Sequence, residues 1–171
     1  MALRTIVKDG DPILKKVCRP VTKFDDRLAT LLDDMQDTLA DADGLRLAGP
    51  QVGMMRRIFI CLYDRYRPED APADYKDTFI EFINPEIEYL SDETAELYEG
   101  CLSFPGHNGA ITRSKKVKVK AQDRNGNWFE LEAENMLARC IQHENDHLNG
   151  VTIMDRATHF YEDDYPEDTE D

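Results

Sequence analysis

The sequence predicts an α+β fold in which antiparallel or mixed sheets pack around a central helix that carries an H-E-x-x-H motif. Two segments have the apolar spacing or the composition of helices, and several short runs alternate or are rich in β-forming residues. The chain has 171 residues, of which 41% are hydrophobic, and this is enough for a single buried core. We therefore expect one domain over residues 1–159, followed by an acidic tail.

The first helix is predicted over residues 25–40, where apolar residues recur with helical spacing. These residues are Leu28, Leu31, Leu32, Met35 and Leu39. The helix should end before the turn-forming pair Asp43-Gly44.

Two strands are predicted next, at residues 58–63 and 79–83, because both runs are short and rich in β-forming residues. The second strand should end at Asn84-Pro85, since this pair favours a turn. Between the two strands, residues 64–77 are charged and contain two prolines, which is typical of an exposed loop.

A β-hairpin and a second helix follow. Residues 117–121 alternate strictly, residues 123–127 supply turn-forming side chains, and residues 128–131 alternate more loosely. Residues 133–148 then predict a helix, because they contain good helix formers and neither glycine nor proline. Gly150 lies just past the end, where a helix commonly stops.

The composition argues against several classes of function. A formal net charge of -14 should prevent direct binding to nucleic acid or to anionic membranes. The chain has no signal-peptide-like start and no run near the roughly 18 apolar residues of a membrane span, so we expect a cytoplasmic protein. Cys18, Cys61 and Cys140 are expected to be reduced thiols in the core.

The H-E-x-x-H motif consists of His143, Glu144 and His147 within the second predicted helix. Helical residues four apart are turned by only about 40° and separated by about 6 Å along the axis, so both imidazoles can share one metal ion. Glu144 would then lie beside the ion without binding it, and could take a proton from an activated water. The motif therefore predicts a metal-dependent hydrolase.

A third metal ligand is needed, because catalytic sites usually have three from the protein. The metzincin pattern would place a histidine at position 153, which is Ile153 here. A downstream glutamate could come only from the acidic tail, at Glu162, Glu167 or Glu170. Upstream, Cys101 follows a glycine and precedes the turn-forming Pro105-Gly106, and its thiolate would complete a Cys-His-His site.

Three segments stand in order along the chain: GLRLAGPQ at residues 44–51, EGCLS at residues 99–103 and QHENDHL at residues 142–148. Together they resemble the peptide deformylase family. The second and third agree fully with the family patterns, and the similarity extends over about residues 3 to 155. The resemblance implies that residues 1–159 form one catalytic domain.

The implied activity is removal of the N-formyl group from formylmethionine at the start of nascent polypeptides, with release of formate. The resemblance makes Cys101, His143 and His147 the ligands of one divalent ion, most often Fe(II), with zinc, nickel or cobalt as alternatives. Glu144 would be the general acid and base, and the side chain of Gln51 and the backbone N–H of Leu102 would bind the oxyanion.

By the same resemblance, the substrate would lie against Gly44, Leu45, Arg46, Glu99 and Gly100. Glu99 and Arg113 could form an ion pair that fixes the Cys101 loop, or an ordinary surface pair.

Two positions depart from the family pattern. Gly49 replaces the usual alanine and adds backbone freedom, whereas Arg46 replaces the usual glycine with a long cation. Arg46 could fold outward, reach substrate carboxylates or carbonyls, or partly block the pocket. We expect deformylase activity with altered substrate preference. The alternatives are a deformylase-like protein with a blocked cleft and a small H-E-x-x-H metalloprotease.

The acidic tail bears on the partners of the protein. Residues 160–171 contain seven acidic residues and no basic one, so we expect them to be disordered. Such a tail should be repelled by RNA, and if the protein docks at the ribosome, we expect it to do so without the tail.

Overall fold

The computed structural model describes residues 2–64 and 78–161, and its α+β architecture confirms the predicted fold class. The α-helices are α1 (Asp26–Asp41), α2 (Asn135–Leu148) and α3 (Ile153–Arg156), with short 3-10 helices at Pro12–Lys15 and Gly49–Val52. The strands are β1 (Arg46–Ala48), β2 (Ile58–Asp64), β3 (Thr78–Leu90), β4 (Thr94–Glu99), β5 (Gly109–Ser114), β6 (Lys116–Gln122) and β7 (Trp128–Glu134).

Five strands form an antiparallel sheet in the order β1-β2-β3-β6-β7, and β4 pairs with β5 in a separate two-stranded sheet. Helix α2 packs against β1, β2, β6 and β7 of the large sheet and against β5 of the small one. It is therefore the central helix that the sequence predicted, and it carries both histidines of the motif.

The large sheet separates two buried clusters of apolar side chains. Successive residues of a strand point to opposite faces, so Phe59 and Cys61 pack with α2, whereas Ile58 and Ile60 pack with α1. Helix α1 begins where predicted, because the Asp25 side chain accepts a hydrogen bond from the Leu28 backbone N–H at 3.1 Å.

The three cysteines expected in the core, Cys18, Cys61 and Cys140, are buried as free thiols. They lie in the same cluster, on the α2 face of the sheet.

The prediction that a strand ends at Asn84-Pro85 is wrong, because β3 continues to Leu90. Asn84 adopts a positive φ of 52°, and the pairing with β6 shifts register between Ile83 and Glu86. The Asn84 side chain accepts a hydrogen bond from the Val21 N–H and donates one to the Val21 carbonyl, and these two bonds stabilise the bulge. A bulge absorbs the local irregularity without ending the strand.

The second predicted helix begins two residues too early. Residues 133 and 134 complete β7 by pairing with β6, and the helix starts at Asn135, whose φ of 54° turns the chain out of the strand. The predicted hairpin of β6 and β7 is confirmed.

The structure describes only one residue of the expected loop and two residues of the expected tail. The expected loop at residues 64–77 lies outside the described residues, except that Asp64 ends β2. In the segment assigned to the tail, Phe160 forms a β-bridge with Gly109, and the Tyr161 N–H donates to the Asn108 carbonyl. Residues 162–171 lie outside the described part. No helix within residues 2–64 and 78–161 is long and apolar enough to span a bilayer.

Candidate metal centre

The two motif histidines project from the buried face of α2. Their rings lie 5.2 Å apart between centroids. Burial, together with the positive charge of Arg46, lowers the pKa of His143 well below its usual value and that of His147 to about 4. Both imidazoles are therefore neutral at neutral pH, the form in which histidine binds a metal ion.

Cys101 joins the two histidines from the loop between β4 and β5. Its Sγ lies 3.4 Å from His147 Nε2, and the ligand atoms of Cys101, His143 and His147 all lie within 4.8 Å of one another. One sulfur and two nitrogen donors at this spacing fit a divalent transition-metal ion. Burial and the negative charge of Glu144 raise the pKa of Cys101 to about 12, and a bound cation would favour its thiolate.

A buried ion-pair network lies behind His143. Glu99 accepts hydrogen bonds from Arg113 at 2.7 and 3.0 Å, and its Oε1 also lies 2.9 Å from His143 Nδ1. Burial alone would raise the pKa of Glu99, but the hydrogen bonds from His143 and Arg113 hold it well below its usual value. The Glu99–Arg113 pair is thus a buried one, not a surface pair, and it fixes the orientation of His143.

Sequence reasoning missed two members of this network. Arg113 also donates to Asp146 at 2.9 Å, and Arg139 lies 3.0 Å from Glu99. Asp146 stands three residues after His143 in the helix, a spacing that could have suggested a shared face. Arg139 stands four residues before His143 in the same helix, so it carried the same signal, although its partner Glu99 lies 40 residues away in the sequence.

Glu144 lies beside the three candidate ligands. Its side chain is 0% exposed, and Oε2 lies 3.4 Å from His143 Nε2. Neither carboxylate oxygen has a hydrogen-bond partner among the described residues. Burial raises the pKa of Glu144 well above its usual value, and the nearby charge of Arg46 acts in the opposite direction. A carboxyl group in this position can accept and return a proton.

Gln51 lies in the 3-10 helix that follows β1, and its amide is oriented by hydrogen bonds. Its Oε1 accepts from the Ala48 N–H at 2.9 Å, while Nε2 donates to Ser103 Oγ at 3.1 Å and approaches Cys101 Sγ at 3.4 Å. The amide nitrogen of Gln51 is therefore directed toward the candidate metal centre.

These groups border a cavity of about 260 Å³. It is lined by Gly44, Leu45, Arg46, Gln51, Gly100, Cys101, Leu102, His143 and Glu144. All the residues expected to contact substrate line this cavity except Glu99. The Glu99 carboxylate instead forms hydrogen bonds with Arg113 and His143 behind the cavity.

Arg46 points into the cavity, so the outward orientation considered above is not observed. Its Nη2 donates to the Gly100 carbonyl at 2.6 Å, and its Nε lies 3.5 Å from Glu144 Oε2. The alternation of β1 explains the direction, because Leu47 packs on the α1 face and Ala48 on the α2 face. Arg46 shares the face of Ala48, which is the face of the candidate metal centre.

Comparison with known proteins identifies the family. The model of the polypeptide deformylase family matches residues 3–162. The chain belongs to the peptide deformylase family. A peptide deformylase of Clostridium botulinum is 47% identical over 158 residues, which cover 92% of this chain and 99% of that protein. A peptide deformylase of Caldicellulosiruptor bescii is 46% identical over 160 residues, which cover 94% of this chain and 89% of that protein.

Solved deformylase structures agree with this fold. The enzyme from Thermotoga maritima matches with a TM-score of 0.82 and 41% identity, covering 92% of this chain and 99% of that one. The deformylase from Legionella pneumophila gives a TM-score of 0.81 at 40% identity, over 92% and 87% of the two chains. Peptide deformylases are metal-dependent, and the Cys-His-His cluster is a possible site for the ion.

Proposed function

We propose that this chain is a metal-dependent hydrolase that removes the N-formyl group from the N-terminal methionine of nascent polypeptides, releasing formate and a free amine. Membership of the deformylase family supports this activity. The observation that carries the proposal is the meeting of Cys101, His143 and His147 within 4.8 Å of one another, next to a cavity that Cys101, His143 and Glu144 line.

Cys101, His143 and His147 would hold the ion in this proposal. A divalent cation supplies Lewis acidity and a water nucleophile of lowered pKa. Fe(II) is our proposed ion, with zinc, nickel or cobalt as alternatives that the same mixed sulfur and nitrogen donors accommodate.

Three groups of the chain act on the reacting amide. Glu144 accepts a proton from the attacking water and returns it to the departing amine, since it is buried beside the candidate ligands without a competing hydrogen bond from the described residues. Gln51 Nε2 donates to the developing oxyanion together with the backbone N–H of Leu102.

Substrate would lie along Gly44, Leu45, Arg46 and Gly100 at the cavity wall. Strand β1 is one of the two outer strands of the large sheet, and no other described strand pairs with its outer edge, which in this proposal receives the peptide backbone.

The alternatives are less well supported. A metalloprotease would need a ligand from the acidic tail, whereas Cys101 already lies with the two histidines. A blocked cleft is not favoured either, because a cavity remains beside Arg46 and the candidate ligands.

The test is anaerobic purification with metal analysis, followed by measurement of formate released from formyl-Met-Ala-Ser. We expect one ion per chain and release of formate. Failure to release formate with iron, nickel or cobalt in the site would contradict the proposal.

We further propose that the protein acts in the cytoplasm, where nascent chains emerge, and that any docking at the ribosome does not use the acidic tail. Its seven carboxylates should be repelled by RNA. Deleting residues 160–171 should therefore leave ribosome co-sedimentation unchanged, and a loss of co-sedimentation would show that the tail is used.

A further inference from the structure

Arg46 places a guanidinium in the catalytic cavity where the deformylase pattern usually has a glycine. Its side chain is only 14% exposed. It extends from β1 across the cavity wall, where Nη2 donates to the Gly100 carbonyl at 2.6 Å. A guanidinium carries five N–H donors in one plane, and this bond uses only one of them.

Cys140 is a further hydrogen-bonding neighbour of Arg46, yet Arg46 Nε has no hydrogen-bond partner among the described residues. Nη2 lies 3.3 Å from His143 Nδ1. That nitrogen, however, faces the Glu99 carboxylate, which accepts two hydrogen bonds from Arg113 and has no proton of its own to give. His143 Nδ1 must therefore carry the hydrogen, and it cannot accept one from Arg46.

Glu144 lies beside Arg46 without filling its hydrogen-bonding capacity. The separation of 3.5 Å between Arg46 Nε and Glu144 Oε2 allows an ion pair, but Nε has no hydrogen-bond partner among the described residues. A buried polar group in this state is expected to gain from an acceptor that enters the cavity.

We propose that Arg46 is a binding group for a carboxylate anion inside the catalytic cavity. A carboxylate is planar and offers two oxygens at the spacing of the guanidinium fork. Arg46 also supplies the positive charge that a second anion beside Glu144 requires.

This inference rests on the proposed function for the sources of the anion. One source is formate, the product of the hydrolysis. The other is the free carboxylate of a very short substrate such as N-formylmethionine. Both present the same chemistry to Arg46, and both would set this chain apart from deformylases with glycine at the same position.

The first experiment is calorimetric titration of the zinc-loaded protein with sodium formate. We expect Arg46→Met to weaken formate binding by about ten-fold or more, which is the scale of one charge-assisted pair. Arg46→Lys should restore part of the affinity, because it keeps the charge without the planar fork. Arg27→Met removes the same charge from an exposed position on α1 and should leave formate binding unchanged.

The second experiment compares the KM values of N-formylmethionine and its methylamide in the wild type and in Arg46→Met. A wild-type preference for the free acid that the variant loses would identify the substrate carboxylate as a ligand. A change in formate affinity alone would identify the product. If neither quantity changes in a folded Arg46→Met protein, the inference is wrong.

Folding is controlled by circular dichroism and by a second variant, Arg46→Gly, which carries the residue usual in the family and should behave as Arg46→Met does. Formate titration does not require turnover. Tight binding of formate that depends on Arg46, without any hydrolysis of formyl peptides, would therefore contradict the proposed function and leave the anion site standing.

Discussion

At the scale of single residues, burial has different consequences for the three candidate ligands. It keeps His143 and His147 neutral, so each has a lone pair available for an ion. It also raises the pKa of Cys101 to about 12, so binding of the ion must displace a proton from the thiol. The cluster therefore favours a divalent cation, which can compensate for the burial of a thiolate.

Replacing Glu144 with glutamine should separate chemistry from metal binding. Glu144 is not among the clustered ligand atoms, so the variant should retain its metal. Because the amide cannot shuttle a proton, kcat should fall by about 10² to 10⁴. Metal analysis and initial rates on formyl-Met-Ala-Ser measure the two quantities.

Cys101→Ala is the matched control, since it should lose both metal and activity. A Glu144→Gln protein that turns over at the wild-type rate would exclude Glu144 as the proton carrier.

The buried pair of Arg113 and Glu99 should contribute strongly to stability. Both side chains are nearly inaccessible, at 5% and 6% exposure. Arg113→Met leaves the Glu99 carboxylate with one fewer cationic partner, and the free energy of unfolding should drop by about 3 to 5 kcal/mol. Urea denaturation of the variant and the wild type measures the difference.

Lys115→Met provides the comparison, because its pair with Glu93 is 42% and 68% exposed and should contribute less than about 1 kcal/mol. Equal effects of the two substitutions would show that burial does not strengthen the Arg113 pair.

At the scale of elements, the 3-10 helix at Gly49–Val52 follows β1 and contains Gln51. Gly49 was expected only to add backbone freedom. The hydrogen that stands in place of its side chain, however, faces the loop that contains Met54 and Arg56. A Cβ at this position would lie 2.7 Å from the Met54 carbonyl oxygen and 2.9 Å from that of Arg56. Glycine is thus required by a close approach of two backbone segments.

Gly49→Ala should accordingly destabilise the protein. The carbonyl groups of Met54 and Arg56 would have to move, and such overpacking costs about 1 to 3 kcal/mol. Differential scanning calorimetry should show a lower Tm. An unchanged or higher Tm would mean that the loop after the 3-10 helix adapts freely.

At the scale of the whole molecule, the candidate metal site joins separate parts of the fold. Cys101 lies in the loop between the strands of the small sheet, whereas His143 and His147 belong to α2, which packs on the large sheet. An ion bound to all three residues would stabilise the folded state by RT ln(1 + c/Kd), where c is the concentration of the free ion.

Removal of the ion by a chelator should therefore lower the Tm. An ion present at about 100 times its Kd contributes about 2.7 kcal/mol, which corresponds to a shift on the order of 5 to 10 °C for a chain of this size. Thermal unfolding with and without EDTA measures the shift. Cys101→Ala should show no response to the chelator, and an equal response in that variant would place the stabilising ion elsewhere.

The local sequence was enough to predict about half of the elements, namely α1, α2, β2, β3, β6 and β7, and part of the site. Helical spacing predicted α1, and good helix formers without glycine or proline predicted the helix of His143 and His147. The helical period then placed these two histidines on one face. Alternation predicted the β6–β7 hairpin. The Asn84-Pro85 pair misled the prediction of β3, since a turn-forming pair can also occupy a bulge when its side chain finds partners elsewhere in the fold.

What the sequence by itself determined is the chemistry of the motif and the family to which it points. Only the tertiary structure decided where long-range partners meet. It brought Cys101 within reach of His147, buried the pair of Glu99 and Arg113 behind His143, and turned Arg46 into the cavity. The physical reason is that these contacts depend on which face of a sheet or helix packs against which neighbour, and spacing along the chain does not specify that choice.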